Sequence, residues 1–176
     1  MQQLCGMLVV VILSGCSESY NDLSIAFGTD KTSNSPALPA DSMVITSLRH
    51  RGATSYRGGV KIFASTSSVD VYVRMPFMKS LSIPTGEIAA CAMTCYGWPD
   101  QHVDLLIPRT GSDLEIPSSK AALDWCWTNR KPMVSGADKR AWLYSGAALP
   151  PTSRYEEQFR SRQAFDQQTK LSCMGY

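Results

Sequence analysis

Histidine, the commonest catalytic acid–base side chain, is nearly missing from this chain: there are two, His50 and His102. His50 sits in Arg49-His50-Arg51, where neighbouring positive charge disfavours a second cation on the ring. His102 follows the loop-like Pro99-Asp100-Gln101. The sequence holds no Gly-x-Ser-x-Gly elbow, no His-Glu-x-x-His zinc helix and no phosphate-binding glycine loop. Ser118-Ser119-Lys120 has the wrong spacing for a Ser-x-x-Lys nucleophile. These absences argue against an enzyme. Charge is also sparse, at 18% of residues and a net +2, which excludes a charge-rich disordered chain. A net charge that small supplies no concentrated basic patch, so no nucleic-acid partner is expected. The paired CxxC motifs of structural zinc sites are absent, and neither a metal nor another cofactor is expected. There is no internal repeat.

What is present begins at the N-terminus. Met7 to Leu13 is an unbroken apolar run, long enough for the core of an export signal and too short to span a bilayer. It ends in Leu13-Ser14-Gly15-Cys16: an aliphatic residue, two small ones, then cysteine. This resembles the lipobox of bacterial lipoproteins. Membership of that family implies cleavage before Cys16 and a diacylglyceryl group on its sulfur. The usual Lys or Arg is missing from Met1-Gln2-Gln3. Ser17 after the cysteine resembles the residue pattern that leads to the outer membrane, where the protein would face the periplasm.

The expected organisation is a signal peptide over 1–15, a lipidated flexible tether over 16–42 and a single globular domain over 43–176. The tether reading rests on the polar Thr29-to-Pro36 stretch and on Pro36 and Pro39; Ile25-Ala26-Phe27 reads as a short docked strand within it. Beyond Met43 the pattern turns β-like. Candidate strands are Met43–Leu48, Val60–Ala64, Val69–Met75, Val103–Ile107 and Leu114–Ile116. In the third, Val69, Val71, Val73 and Met75 alternate with Asp70, Tyr72 and Arg74, the period of a half-buried strand. One helix is expected from Ser118 or Ser119 to about Asn129. A second is expected from Arg154 to Leu171, opened by the capping-box pattern Ser153-Arg154-Tyr155-Glu156. Strands first and helices later predict an α+β fold. Its sheet is mainly antiparallel, or a sandwich, with one or two C-terminal helices.

Of six cysteines, Cys5 leaves with the signal and Cys16 is the lipidation candidate, leaving Cys91, Cys95, Cys126 and Cys173. An even set in an exported domain points to disulfides. Cys91 with Cys95 would close a very short loop, so pairings that tie their segment to Cys126 and to Cys173 are favoured. The alternative is a copper or thiol site: Cys91-Ala92-Met93-Thr94-Cys95 offers two thiolates and a thioether, soft ligands for Cu(I). Its CxxxC spacing resembles that of membrane-anchored copper chaperones of the Sco type. Trp125-Cys126-Trp127 reads as core packing around a disulfide.

The expected function is a lipid-anchored binding or assembly protein of the envelope, either a secretion-system accessory or a toxin-immunity lipoprotein, with a protein partner in the periplasm. An envelope hydrolase is the third reading, after the copper protein. Tyr72, outward on its strand, and Met78, just beyond the strand's end, are the candidate contact residues. Replacement of Cys16 by Ser should abolish fatty-acid labelling and membrane retention. A wild-type protein recovered in soluble form with residues 1–15 intact would overturn the lipoprotein assignment.

Overall fold

Alternation of apolar and polar residues sets the architecture. The structure, a computed structural model, describes residues 18–30, 37–40, 42–47, 52–74, 78–95 and 101–173. A helix α1 (Glu18–Phe27) comes first, then the short strands β1 (Gly28–Thr29) and β2 (Ala37–Leu38). Next are β3 (Ser42–Ser47), β4 (Gly52–Arg57), β5 (Val60–Ala64), β6 (Ser68–Val73) and β7 (Ser80–Pro84). After a 3-10 turn come β8 (Ala90–Cys95), β9 (Gln101–Ile107) and β10 (Ser112–Pro117). Helices α2 (Lys120–Thr128) and α3 (Gly136–Ser145), a 3-10 segment (Thr152–Phe159) and α4 (Arg162–Cys173) complete the chain.

The strands form two five-stranded antiparallel sheets, ordered β1-β7-β6-β5-β2 and β4-β3-β10-β9-β8. Register brings like residues together on the inner faces: Val60 opposite Val73, Ile62 opposite Val71, and Val69 opposite Ile83. These pack with Met43, Ile45, Leu105, Leu114 and Ile116 of the second sheet in one buried cluster. The sequence's expectation of an α+β protein with a mainly antiparallel sheet and C-terminal helices holds in this sandwich. The link from β4 to β5 crosses between sheets through Gly58 and Gly59, at φ +68° and +67°. Two successive left-handed residues suit glycine, which has no Cβ to clash.

Two disulfides staple the helices to the second sheet. Cys91 on β8 joins Cys126 on α2, and Cys95 on β8 joins Cys173 at the end of α4. Both pairs tie the Cys91/Cys95 segment to Cys126 and Cys173, as the cysteine spacing favours; which cysteine takes which partner is fixed by the fold. Loops of 35 and 78 residues make each crosslink worth about 4 kcal/mol in the chain-entropy account. Trp127 stacks against Phe159 and Phe165, and Trp125 donates its indole N–H to the Ser65 carbonyl at 2.6 Å.

Three expectations need correction. Residues 18–29 are not a free tether: α1 buries Tyr20, Leu23 and Phe27 in the main core, and Ile25-Ala26-Phe27 is helical. Their spacing of three and four puts all three on one helical face. The expected helix from Arg154 to Leu171 is two elements, and the Ser153 side chain caps nothing. The 3-10 segment sends Tyr155 into one apolar cluster and Phe159 against the other, while its Gln158 side-chain carbonyl accepts from the Met133 amide at 2.6 Å. Ser161 then starts α4, its hydroxyl accepting from Ala164 N at 3.1 Å. Met78 is half-buried against the main core, so it is not an outer contact residue. Met75 lies outside the described residues, as do residues 1–17, which include the expected signal peptide and Cys16.

Leu23 is wholly buried. Leu23→Ala should destabilise the domain by about 2–5 kcal/mol in urea unfolding. A free tether would leave stability unchanged.

Candidate functional site

While the inner face of the second sheet is apolar, its alternate residues face outward. Register sets them in rows: Ala53, Thr46, Asp113, Leu106 and Ala90; then Ser55, Val44, Glu115, Asp104 and Ala92. A third row holds Pro117, His102 and Thr94. The outer face thus gathers three carboxylates, from Asp104, Asp113 and Glu115, onto two adjacent strands.

Helix α3 covers part of this face. Its start is fixed by Ser135, whose hydroxyl accepts from the Asp138 amide at 3.0 Å, and its end by Gly146 in the left-handed region at φ +67°. Trp142 and Leu143 pack with Tyr155 on Ala90, Ala92 and Leu106, a second apolar cluster outside the sandwich. Tyr155 also donates its hydroxyl to the Asp138 carboxylate, anchoring the 3-10 segment to the start of α3.

Lys139, one turn into α3, reaches down among the carboxylates. Its Nζ lies 2.6 Å from Asp113 Oδ2, 2.9 Å from Asp104 Oδ2 and 3.5 Å from Glu115 Oε1. It also donates to Thr94 Oγ1 at 2.9 Å, and Thr94 donates to Asp104 Oδ2 at 2.7 Å. The two aspartates are wholly buried, and the lysine side chain is 8% exposed. Oxygens of Asp104, Asp113 and Glu115 lie within 4.8 Å of one another, a spacing that suits a cation. The ammonium of Lys139 sits in that position, so the cluster carries its own cation.

One ammonium facing three buried carboxylates cannot balance them. Burial pushes the Asp104 carboxyl up to about 6, against the pull of Lys139. Burial and the Asp104 carboxylate raise Asp113 well above its ordinary value. Burial opposes the charge on Lys139, but Asp113, Asp104 and Glu115 together outweigh it and hold the ammonium above its ordinary value. The arrangement holds Lys139 as the ammonium while burial and mutual repulsion make Asp104 and Asp113 readier to keep a proton than an ordinary aspartate. This is a polar lock between helix and sheet.

Two cavities flank the lock, and Glu115 lines both. One, of about 760 Å³, lies over the half of the face that α3 leaves open. Ser42, Val44, Ala53, Ser55 and Arg57 line it, with His102 and Glu115 on one side. The other, of about 220 Å³, runs between Lys139, Arg140 and Tyr144 and the Cys95–Cys173 disulfide. His102 is therefore a strand residue, not a loop one, and its Nδ1 lies 3.9 Å from Glu115 Oε2. His50 lies outside the described residues, as does Trp98.

The other predicted residues are scattered. Tyr72 is exposed on the outer face of the first sheet, opposite Lys61. Cys91, Met93 and Cys95 share one face of β8, but both sulfurs are in disulfides and Met93 is buried, so this oxidised form offers no thiolate pair to copper. Sequence reasoning missed Asp104, Asp113, Glu115 and Lys139. The i, i+2 spacing of Asp113 and Glu115 did place two carboxylates on one strand face. Nothing local linked them to Lys139. No protein-family model matches this chain, and no curated protein matches it.

Lys139→Met should cost about 3–5 kcal/mol at pH 7, because it strands buried carboxylates without a counter-ion; adding Asp104→Asn should recover part of that loss. For Asp104 itself, a folded pKa of about 6 against 3.8 means that the native state holds the proton more tightly. Its contribution to stability therefore falls as pH rises from 3.8 through about 6, and the fall should steepen in Lys139→Met. Urea unfolding at pH 4, 5, 6 and 7 measures both effects.

Proposed function

We propose that the protein is a lipid-anchored binding protein of the bacterial envelope, held at the periplasmic face of a membrane by Cys16. A protein partner would dock on the open half of the second sheet's outer face. The supporting observation is the roughly 760 Å³ cleft there, floored by the small side chains of Ser42, Val44, Ala53 and Ser55. A twisted sheet face of small residues can accept bulkier groups from a partner without moving backbone. Disulfides and the Lys139 lock hold that face rigid, which limits the ordering cost of association. The lipobox supplies the address. Among the described residues no helix is long and apolar enough to cross a membrane, and a lipid on Cys16 would serve as the anchor instead.

Within this class the toxin-immunity and secretion-accessory roles both fit a rigid scaffold presenting one recognition face. The hydrolase reading has one observation in its favour, the His102–Glu115 pair at the cleft wall. A buried carboxylate beside an imidazole is the orienting half of an acid–base pair.

Complementation of a deletion strain separates the two. Ala53→Trp fills the cleft from an exposed position on an edge strand, and it should abolish rescue while leaving the melting curve unchanged. His50→Ala with His102→Ala should rescue fully. Loss of rescue by a normally folded double histidine variant would favour the hydrolase, and full rescue by Ala53→Trp would remove the cleft from the binding surface.

A further inference from the structure

The two disulfides occupy opposite environments. Cys91 and Cys126 are wholly buried in the main core. Cys95 and Cys173 are half-buried and line the cavity of about 220 Å³ beside α3. A thiolate from outside can approach the second pair and not the first. Exchange needs in-line access to a sulfur, so this difference selects which bond reacts.

What the accessible bond restrains is specific. Strand β8 is an edge of its sheet, and its outward backbone groups are covered by two different devices. Near Cys91 the cover is backbone: Cys91 N donates to Pro132 O at 2.9 Å, and Val134 N donates to Cys91 O at 2.8 Å. Near Met93 the cover is the last turn of α4. The Ser172 hydroxyl accepts from Met93 N at 3.0 Å and donates to Val134 O at 2.6 Å. Cys173, the next residue, is bonded to Cys95 on the same strand. The other end of α4 is held independently, by wholly buried Phe165 and by the Arg162–Asp124 ion pair.

We propose that Cys95–Cys173 is a thiol-exchange site for a protein dithiol, and that its reduction unlatches the last turn of α4 from the edge of β8. The Cys91–Cys126 bond stays closed. A thiolate of the dithiol attacks one of the two sulfurs, forms a mixed disulfide and releases the other cysteine as a thiolate. The second thiol of the partner loses its proton and displaces the mixed disulfide. The partner leaves oxidised; Cys95 and Cys173 gain two electrons and two protons. The last turn of α4 then loses its covalent tether to β8 beside Ser172, the Met93 amide loses its cover, and the cavity opens toward Glu115 and Lys139, which also line it. The proposal does not depend on the cleft described above.

Incubation of the full oxidised protein with a two-cysteine thiol oxidoreductase in its reduced form, under native conditions, followed by mass-tag alkylation and peptide mass spectrometry, tests the selectivity. Cys95 and Cys173 should be tagged at least about 10-fold faster than Cys91 and Cys126. Amide exchange on the same sample tests the latch: Met93 should exchange faster after reduction, while the Phe165 amide keeps its protection. The Cys95→Ser, Cys173→Ser double variant should show the fast Met93 exchange with no reductant present. Equal tagging of all four cysteines, or a Met93 amide equally protected in the reduced protein, would overturn the proposal. The reduction experiment decides it even if the double variant does not fold.

Discussion

Strand β8 is the constraint on which the rest of the structure depends, because both of its faces and its free edge are committed. On the inner face Cys91 and Cys95, four residues apart, carry the two crosslinks to α2 and α4. On the outer face Ala90 and Ala92 are small enough for Trp142, Leu143 and Tyr155 to lie directly on the sheet. Thr94 on that same face joins the Lys139 cluster. A strand with large outward side chains would lift α3, and Lys139 could not then reach Asp104 and Asp113. The edge itself is sealed by Pro132, Val134 and Ser172, which removes an exposed row of backbone donors of the kind that invites unwanted strand pairing.

The buried lysine divides the outer face into two regimes. Where α3 covers it, the charged groups are buried, and Lys139 offsets part of the repulsion among Asp104, Asp113 and Glu115. Removing either sign would leave the other stranded, so the cluster fixes where α3 docks more than it adds to stability. Beyond the helix the same face is open and small-sided. Glu115 stands at the border, buried yet lining both cavities. The open half is usable as a recognition surface because the covered half keeps its neighbour from moving. A binding face on a stapled sandwich loses little freedom on association, which fits the proposed role better than a mobile loop surface would.

Legibility varied with how local the signal was. The period of two over Val69–Met75 located β6, observed as Ser68–Val73, one residue off at its start and two at its end, since alternation is written in neighbouring side chains. Val60–Ala64 matched β5 for the same reason. Ser119 signalled α2 because a cap is a contact over three residues. By contrast, β4 reads Gly-Ala-Thr-Ser-Tyr-Arg and has no apolar face of its own; it is a strand because β3 offers it an edge. Helix α3 has a weakly amphipathic pattern, since it buries a lysine as well as Trp142 and Leu143. Its polar contact is with strands more than twenty residues earlier, which no local window contains.

The sequence by itself determined the antiparallel, strand-rich texture and the expectation that the Cys91/Cys95 segment is crosslinked to Cys126 and to Cys173, because each follows from spacing along the chain; which cysteine takes which partner was decided by the fold. Tertiary structure alone decided that α1 belongs to the core, that the final helical region breaks at Arg160 and Ser161, and that Asp104, Asp113, Glu115 and Lys139 form one cluster. The physical reason is the same in each case. A side chain's value depends on what lies across from it, and a lysine that reads as solvated on its own helix becomes the central cation of a sheet once burial and three carboxylates surround it.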